Sequence, residues 1–221
     1  SGALLLTVGL CNTSFVGFPL LSALLGEKSL GVGIIVDQFG SFLVLSTLGV
    51  WAATSHASSE VGAPFRVAPV LRKVITFPPF VALVLALLTR PLSYPPFFKG
   101  VLDKLGALLV PLALLQVGYQ LRLDVSALRR HRVTLAWGLF VRLLLIPAAL
   151  TLGILACTKV RGEVAMVTVL EGAMSPMITG AILAVEHDLE PELANLMIGV
   201  GIPLSLLTVP AWWWVLRPFF G

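Results

Sequence analysis

Within the first apolar segment of this chain stands the sequence Cys11-Asn-Thr-Ser-Phe-Val-Gly-Phe-Pro-Leu20, which is polar and contains both glycine and proline. The segment around it runs from about Gly2 to Leu25 and is otherwise hydrophobic. A continuous membrane helix has no need of such an interruption, because lipid offers no water to the freed backbone groups. A broken helix is tolerated only where protein or a wet cavity surrounds the break. The interruption therefore predicts a broken helix at a functional site.

The composition is that of a polytopic α-helical membrane protein. Hydrophobic residues make up 57% of the chain and charged residues 12%, and the mean hydropathy is +0.99. Apolar runs approach the roughly 20 residues that a membrane helix needs. The net charge of +4 fits loops beside a lipid bilayer and gives no indication of nucleic-acid binding. Cys11 and Cys157 fall within apolar segments, where we expect small buried side chains and no disulfide framework.

Seven membrane spans are predicted when the apolar runs are compared with the breakers and charges between them. They cover residues 2–25, 29–53, 68–89, 101–120, 134–157, 163–186 and 193–216. The loop at 54–69 is rich in serine, alanine and glycine and is the predicted linker between two halves.

The second half of the chain repeats the interruption of the first. Ser14 and Ser175 stand 161 positions apart, and the same shift pairs six further identical residues. They are Ala23 with Ala184, Gly40 with Gly201, Leu43 with Leu204, Leu45 with Leu206, Thr47 with Thr208, and Trp51 with Trp212. Chance matches remain the alternative, because Leu, Ala and Gly are abundant here. Paired Gly/Pro-interrupted segments at equivalent positions of two halves indicate the binding site of a transporter.

The count of spans predicts how the two halves are related. Five spans separate equivalent points, and an odd number reverses the direction of the chain through the membrane. The halves are therefore expected to be inverted repeats, related by a pseudo-two-fold axis in the membrane plane. With a unit of five spans, the first copy has only its last two helices here. The pattern predicts a fragment, or a truncated product, of a ten-span parent.

Several stretches resemble one known family. Asn12-Thr-Ser-Phe-Val-Gly-Phe-Pro-Leu-Leu21 resembles the Asn-Thr-x-x-x-Gly-x-Pro-Leu run of the auxin efflux carriers, which include plant auxin exporters and bacterial dicarboxylate permeases. Pro111-Leu-Ala-Leu-Leu-Gln-Val-Gly-Tyr-Gln-Leu121 is similar to their Pro-Leu-Ala-Leu-x-x-x-Gly-x-x-Leu signature. Ser175-Pro176, with Pro203-Leu-Ser-Leu-Leu-Thr-Val-Pro210, resembles their C-terminal pair of helices.

The resemblance implies an all-α, inverted-repeat, broken-helix carrier fold like that of bile-acid symporters and sodium/proton antiporters, with seven of ten helices present. It assigns residues 1–53 and 134–217 to a mobile transport domain and 70–120 to scaffold helices. An elevator-type movement and a scaffold-mediated homodimer are then expected. A bacterial carrier of the PIN-like or malate-permease type would lie in the inner membrane as a multi-pass protein.

Polar residues at the two interruptions are the predicted substrate ligands. The resemblance places Asn12 in contact with substrate, whereas the physical alternative is a cap on the half-helix. Half-helix N-termini present free N–H groups and positive dipole ends to an anion. The wider predicted set consists of Thr13, Ser14, Ser175 and Pro176, with Gln116 from span four. Gln116 and Gln120 share one helix face, which either lines the substrate side or makes a helix contact. The predicted helix-break residues are Gly17, Pro19, Pro176 and Gly180.

Intramembrane ionisable residues are costly and indicate a coupling-ion site. Glu171 is predicted either to bind a coupling cation or proton, or to pair with Arg142. Asp37 and Gln38 form a second polar pair, either for sodium or protons or as a buried hydrogen-bonded pair. Arg142 has two further alternatives, which are to balance an anionic substrate or to extend toward a helix end. Trp212-Trp213-Trp214 is predicted to be an interfacial anchor in preference to a ligand cage.

The predicted function is secondary active transport of a small organic anion, either an auxin-like carboxylate or a dicarboxylate. The alternative is a sodium-coupled bile-acid-like or other organic-acid symporter, and a channel or receptor is less favoured. An enzyme is not expected, because no histidine lies inside a predicted span. The expected partners are the substrate, the lipid bilayer and a second copy, without nucleic acid. We expect no metal site or cofactor beyond Na⁺ or H⁺ as coupling ion.

Overall fold

The computed structural model describes residues 2–57, 72, 75, 76, 78–120 and 124–221. The described part consists of helices and the turns between them. They are α1 (Gly2–Gly9), α2 (Phe18–Leu25), α3 (Leu30–Val36), α4 (Val50–Ala57), α5 (Pro78–Thr89), α6 (Pro96–Ala107), α7 (Leu109–Gln120), α8 (Val125–Phe140), α9 (Ile146–Cys157), α10 (Glu163–Gly172), α11 (Ile178–Glu186) and α12 (Pro191–Phe220). The prediction of an all-α fold is confirmed.

Four helical stretches of the described part are long and apolar enough to cross a membrane. They are Glu27–Ala53, Pro96–Tyr119, Val125–Cys157 and Pro191–Phe220. The shortest has 24 residues, so at about 1.5 Å per residue each stretch exceeds the roughly 30 Å of a hydrocarbon core. The chain is therefore a polytopic membrane protein.

The boundaries of two predicted elements differ from the structure. Helix α4 continues to Ala57 and so takes the first four residues of the predicted linker, whose remainder lies outside the described residues. Predicted span three is described only in part and appears as α5.

Helix α12 forms the centre of the fold and packs against α1, α8, α10 and α11. One face of this helix is buried along its length, as Leu193, Met197, Ser205, Val209 and Leu216 show. These positions recur at intervals of four, seven or eight residues, which is the spacing of the buried face of a helix. This face anchors the two broken segments that α12 contacts.

Wide helical turns of the π type hold buried polar side chains. The π turns Thr13–Gly17, Asp37–Phe42 and Val141–Leu145 contain Thr13, Asp37 and Arg142 respectively. A fourth π turn covers Leu45–Gly49. Such turns insert an extra residue into a helix and occur frequently at functional sites. They indicate where the helices were reshaped around polar groups.

The three tryptophans of α12 have different surroundings, so the prediction of an interfacial anchor stays a prediction. The Trp212 indole N–H donates to the backbone oxygen of Leu143 at 2.9 Å. That oxygen lacks its usual helical partner because Pro147, four residues later, has no N–H. Trp213 instead lies under Arg217, 4.4 Å from the guanidinium carbon to the ring centroid, and Trp214 is 71% exposed.

Candidate functional site

The two interrupted segments meet at their breaks and pair with each other as antiparallel backbone. Asn12 N–H donates to the Ser175 oxygen at 2.9 Å, and Met177 N–H donates to the Leu10 oxygen at 3.0 Å. Cys11 and Pro176 lie opposite each other in this short bridge. The pairing satisfies backbone groups that lipid could not satisfy. The two breaks therefore form a single structure, the crossing, built from both halves of the chain.

Close packing at the crossing explains two of its glycines. A Cβ on Gly201 would lie 2.7 Å from Cδ of Pro176, so only glycine lets α12 approach the second break. A Cβ on Gly180 would lie 2.8 Å from the Leu6 backbone oxygen. Gly180 lies inside α11 and serves this contact with α1, which corrects its prediction as a helix-break residue. Gly17 and Pro19 likewise lie in helical turns, after the break itself.

Each broken segment consists of two half-helices, and Arg142 binds the carboxyl-terminal end of the first one in both segments, α1 and α10. Its guanidinium donates to the backbone oxygen of Val8 at 3.2 Å, of Gly172 at 2.7 Å and of Met174 at 3.0 Å. The last carbonyl groups of a helix lack intrahelical partners and carry the negative end of its dipole. Because Arg142 is 1% exposed and occupied by these carbonyls, it neither pairs with Glu171 nor extends toward a helix end.

Asp37 receives hydrogen bonds from the start of the half-helix that follows the first break. The hydroxyl groups of Thr13 and Ser14 both donate to its Oδ1 at 2.5 Å, and Gln38 Nε2 donates to its Oδ2 at 2.6 Å. A carboxylate offers only acceptors, so three donors match its bonding capacity well. The polar pair predicted in span two is therefore joined to Thr13 and Ser14 in one hydrogen-bond network.

The Glu171 carboxyl group is enclosed by two glycines. A Cβ on Gly17 would lie 2.5 Å from Oε2, and a Cβ on Gly33 would lie 3.1 Å from Oε1. Glu171 is fully buried, and neither oxygen has a hydrogen-bond partner among the described residues. Unsatisfied buried carboxyl oxygens are costly, so they mark a place where a cation or proton would be stabilised.

Three more buried polar groups at the crossing lack a described partner. They are the amide Nδ2 of Asn12, the hydroxyl of Ser175 and the amide Oε1 of Gln38. Asn12 uses its Oδ1 to cap the following turn by accepting from Phe15 N–H at 3.2 Å. Both predicted roles of Asn12 are thus compatible, because the cap occupies one end of the amide and leaves the other end free.

A cavity of about 670 Å³ lies between the first break and α7. Ser14 and Phe15 line it from the break, and Gln116 and Tyr119 line it from α7. Ser14 therefore faces this space while it donates to Asp37. The structure brings Gln116 to the same cavity as Ser14, whereas the side chain of Gln120 lies outside the described residues.

A second cavity of about 460 Å³ runs along α11 from Ile178 to Glu186 and on to the start of α12, and Tyr119 borders this cavity as well. Ile178 and Asp124 are among its lining residues. Asp124 caps α8, where the Ser126 hydroxyl and the backbone N–H groups of Ala127 and Ser126 hold its pKa below the usual value. Space is thus available beside the second half-helix of both broken segments.

The structure gathers most predicted site residues and adds some that the sequence did not reveal. Gly33 was missed because a glycine in a span carries no polar signal, and Tyr119 because it resembles a lipid-facing aromatic. The Ser41 Oγ lies 3.6 Å from the Cys11 sulfur, so a further hydroxyl group stands near the break. A polar residue one helical turn after the Asp37-Gln38 pair was the available signal for Ser41.

Comparison with known proteins gives consistent matches over nearly the whole chain. A family model described as membrane transport protein matches residues 1–213. An "uncharacterized transporter" of Methanothermobacter thermautotrophicus is 31% identical over 213 residues, which cover 95% of this chain and 66% of that protein. An "uncharacterized transporter" of Methanocaldococcus jannaschii is 28% identical over 227 residues, covering 97% of this chain and 68% of that protein.

The chain thus spans about two thirds of the length of these relatives. The family match covers both broken segments and the α7 motif, so the resemblance noted in the sequence is confirmed. The chain belongs to the membrane transport protein family of auxin efflux carriers.

Proposed function

We propose that this chain forms the binding site of a secondary carrier for a small organic anion coupled to a cation. The observation that carries the proposal is the set of unpartnered buried polar groups at the crossing, which includes donors and acceptors. A static structural core satisfies such groups, because each unsatisfied one costs about 1–3 kcal/mol. A ligand that visits the crossing would satisfy them in turn.

The donors at the crossing favour an anion. Asn12 Nδ2 and Ser175 Oγ each have a hydrogen to donate, and α11 begins without a side-chain cap. The uncapped start of a helix presents free N–H groups and a positive dipole end. Arg142 compensates the negative ends of the other half-helices, so those ends do not cancel this positive region. A carboxylate is the organic anion that such neutral donors bind well.

The acceptors favour a coupling cation close to the anion. Both oxygens of Glu171 and Oε1 of Gln38 are free acceptors, and oxygen atoms are the usual ligands of hard cations. We infer that sodium or a proton occupies Glu171 during transport. A bile-acid-like or other sodium symporter remains the second candidate and differs in requiring sodium.

The antiparallel pairing of the breaks supports inverted repeats and an elevator movement. Two segments that run oppositely at equivalent positions are what a two-fold axis in the membrane plane produces. The π turn of the first break packs against α7, the helix assigned to the scaffold, and both line one cavity. Movement of the crossing past α7 would carry the ligand across the membrane. A homodimer through the scaffold belongs to the same proposal for the whole protein.

Uptake into proteoliposomes tests the function directly. The protein is reconstituted and radiolabelled malate, citrate, taurocholate and an indole acid are offered with an inward sodium gradient, a proton gradient or neither. We expect saturable uptake of one acid that depends on one gradient, and at least a tenfold loss in Asn12→Ala because a buried donor to the ligand is removed.

Matched variants separate the two halves of the site. Thr47→Ala is the control for Asn12→Ala, since the Thr47 hydroxyl donates only to backbone oxygens of its own helical stretch, those of Leu43 and Val44. Glu171→Gln keeps the size of the side chain and is expected to abolish gradient dependence while binding of the acid persists. Non-saturable flux in all conditions would indicate a channel, and uptake unaffected by Asn12→Ala would contradict the proposed site.

A further inference from the structure

A narrow apolar groove follows the outer side of α8 and α12, away from the crossing. One edge consists of Arg132, Ala136 and Phe140 of α8 and Leu144 of the π turn that follows it, each four residues after the last. Val200, Leu204 and Thr208 form the α12 edge with the same spacing. Residues four apart stand above one another on a helix, so each edge is a continuous ridge. The groove has a volume of about 480 Å³.

Both helices begin on the same side of the membrane, and the basic end of the groove lies there. Arg130 of α8 pairs with Glu192 at the start of α12, with 2.9 Å between nitrogen and oxygen. Arg132 has no hydrogen bond or ion pair to any described residue, and it is exposed. One free positive charge therefore stands at the mouth of an apolar groove, at the level where the hydrophobic part of the helix begins.

The length of the groove matches one lipid leaflet. Arg132 and Leu144 are twelve residues apart on the helical stretch, which is about 18 Å at 1.5 Å per residue. Half of a hydrocarbon core is about 15 Å thick.

We propose that this groove binds one anionic phospholipid, with an acyl chain between α8 and α12 and its phosphate on Arg132. The charge of Arg132 is complementary to an anionic headgroup, and the lining below it is complementary to a hydrocarbon chain. The lipid would hold α8 against α12. Helix α8 leads into the π turn that carries Arg142. A lipid in the groove would therefore support the helical stretch whose arginine binds the carbonyl ends of both broken segments.

Lipid titration of the purified protein in detergent tests the proposal. Dioleoyl phosphatidylglycerol is added and bound lipid is counted by native mass spectrometry, together with the thermal unfolding midpoint. Dioleoyl phosphatidylcholine has the same chains without net charge, and inorganic phosphate supplies the charge without chains. We expect one tightly retained phosphatidylglycerol that raises the midpoint, a weaker effect of phosphatidylcholine, and no effect of phosphate.

Two variants remove the two halves of the site. Arg132→Gln is expected to raise the half-saturating lipid concentration about fivefold, the factor corresponding to about 1 kcal/mol per basic residue at the membrane surface. Ala136→Phe fills the groove from an exposed position and is expected to abolish retention of the lipid. Lys104→Gln also removes one exposed positive charge and Ala149→Phe also adds a phenyl ring, both outside the groove, and these variants should bind lipid as the unaltered protein does.

Three results would overturn the proposal. The first is equal retention of the two lipids, and the second is a shift reproduced by phosphate alone. The third is unchanged retention in Ala136→Phe, because the acyl chain could then not lie between α8 and α12.

Discussion

Substituting Arg142→Met is expected to lower the free energy of unfolding by about 3 kcal/mol or more, since buried charged groups with several hydrogen bonds contribute on this scale. The methionine keeps much of the apolar volume but leaves the backbone oxygens of Val8, Gly172 and Met174 without their donor. The negative ends of two half-helix dipoles would then face each other without compensation.

Denaturant unfolding in detergent, followed by circular dichroism, measures this effect. Arg142→Lys should recover only part of the loss, because an ammonium group lacks the planar fork that reaches three carbonyls. Arg129→Met is the control, since Arg129 is exposed on the same helical stretch and should change stability by no more than about 0.5 kcal/mol. A stability of Arg142→Met equal to that of this control would show that the half-helix ends do not depend on the guanidinium.

The second large effect is expected from Gly17→Ala, which should lower the free energy of unfolding by about 1–3 kcal/mol, the usual cost of overpacking a buried position. The added methyl group would stand 2.5 Å from Glu171 Oε2. The carboxyl group cannot simply move aside, because Gly33 encloses it on the other side. The thermal unfolding midpoint should therefore fall, and any cation dependence of that midpoint should weaken with it.

A double-mutant cycle makes the cause of this effect specific. Glu171→Ala opens the space that the methyl group needs, so Gly17→Ala should cost less in that background than in the unaltered protein. Gly31→Ala is the matched control, because a Cβ there meets nothing within 4 Å. Additive effects of Gly17→Ala and Glu171→Ala would mean that the glycine and the carboxyl group are not in contact.

The positions of the breaks and of their polar residues could be predicted because polar groups in an apolar segment carry a strong signal. Asn12, Ser175 and Glu171 each stand in a run of hydrophobic residues, where their cost is explained by function. The antiparallel meeting of the two segments also agrees with the count of spans. The all-α membrane fold follows from composition and from the length of the apolar runs.

Other features depend on contacts that no local pattern records. Arg142 was expected to pair with an acidic side chain or substrate, yet its partners are backbone carbonyls that any residue would offer. The sequence does not show that the Trp212 indole N–H donates to the Leu143 carbonyl, which Pro147 leaves without its helical partner. Gly180 looked like a helix breaker, but it permits a close approach of two helices. Each of these roles arises from long-range packing.

Ligand-dependent thermal unfolding tests most directly the claim that the crossing binds an organic acid. The purified protein is heated with malate, malonate, citrate, taurocholate or an indole acid, with and without sodium at two pH values. A ligand of the folded state adds about 2.7 kcal/mol at a hundredfold excess over its Kd. We predict that one acid raises the unfolding midpoint and that Asn12→Ala and Ser175→Ala each remove most of the shift. A shift of full size in both variants would contradict the account, because the acid would then bind away from the crossing.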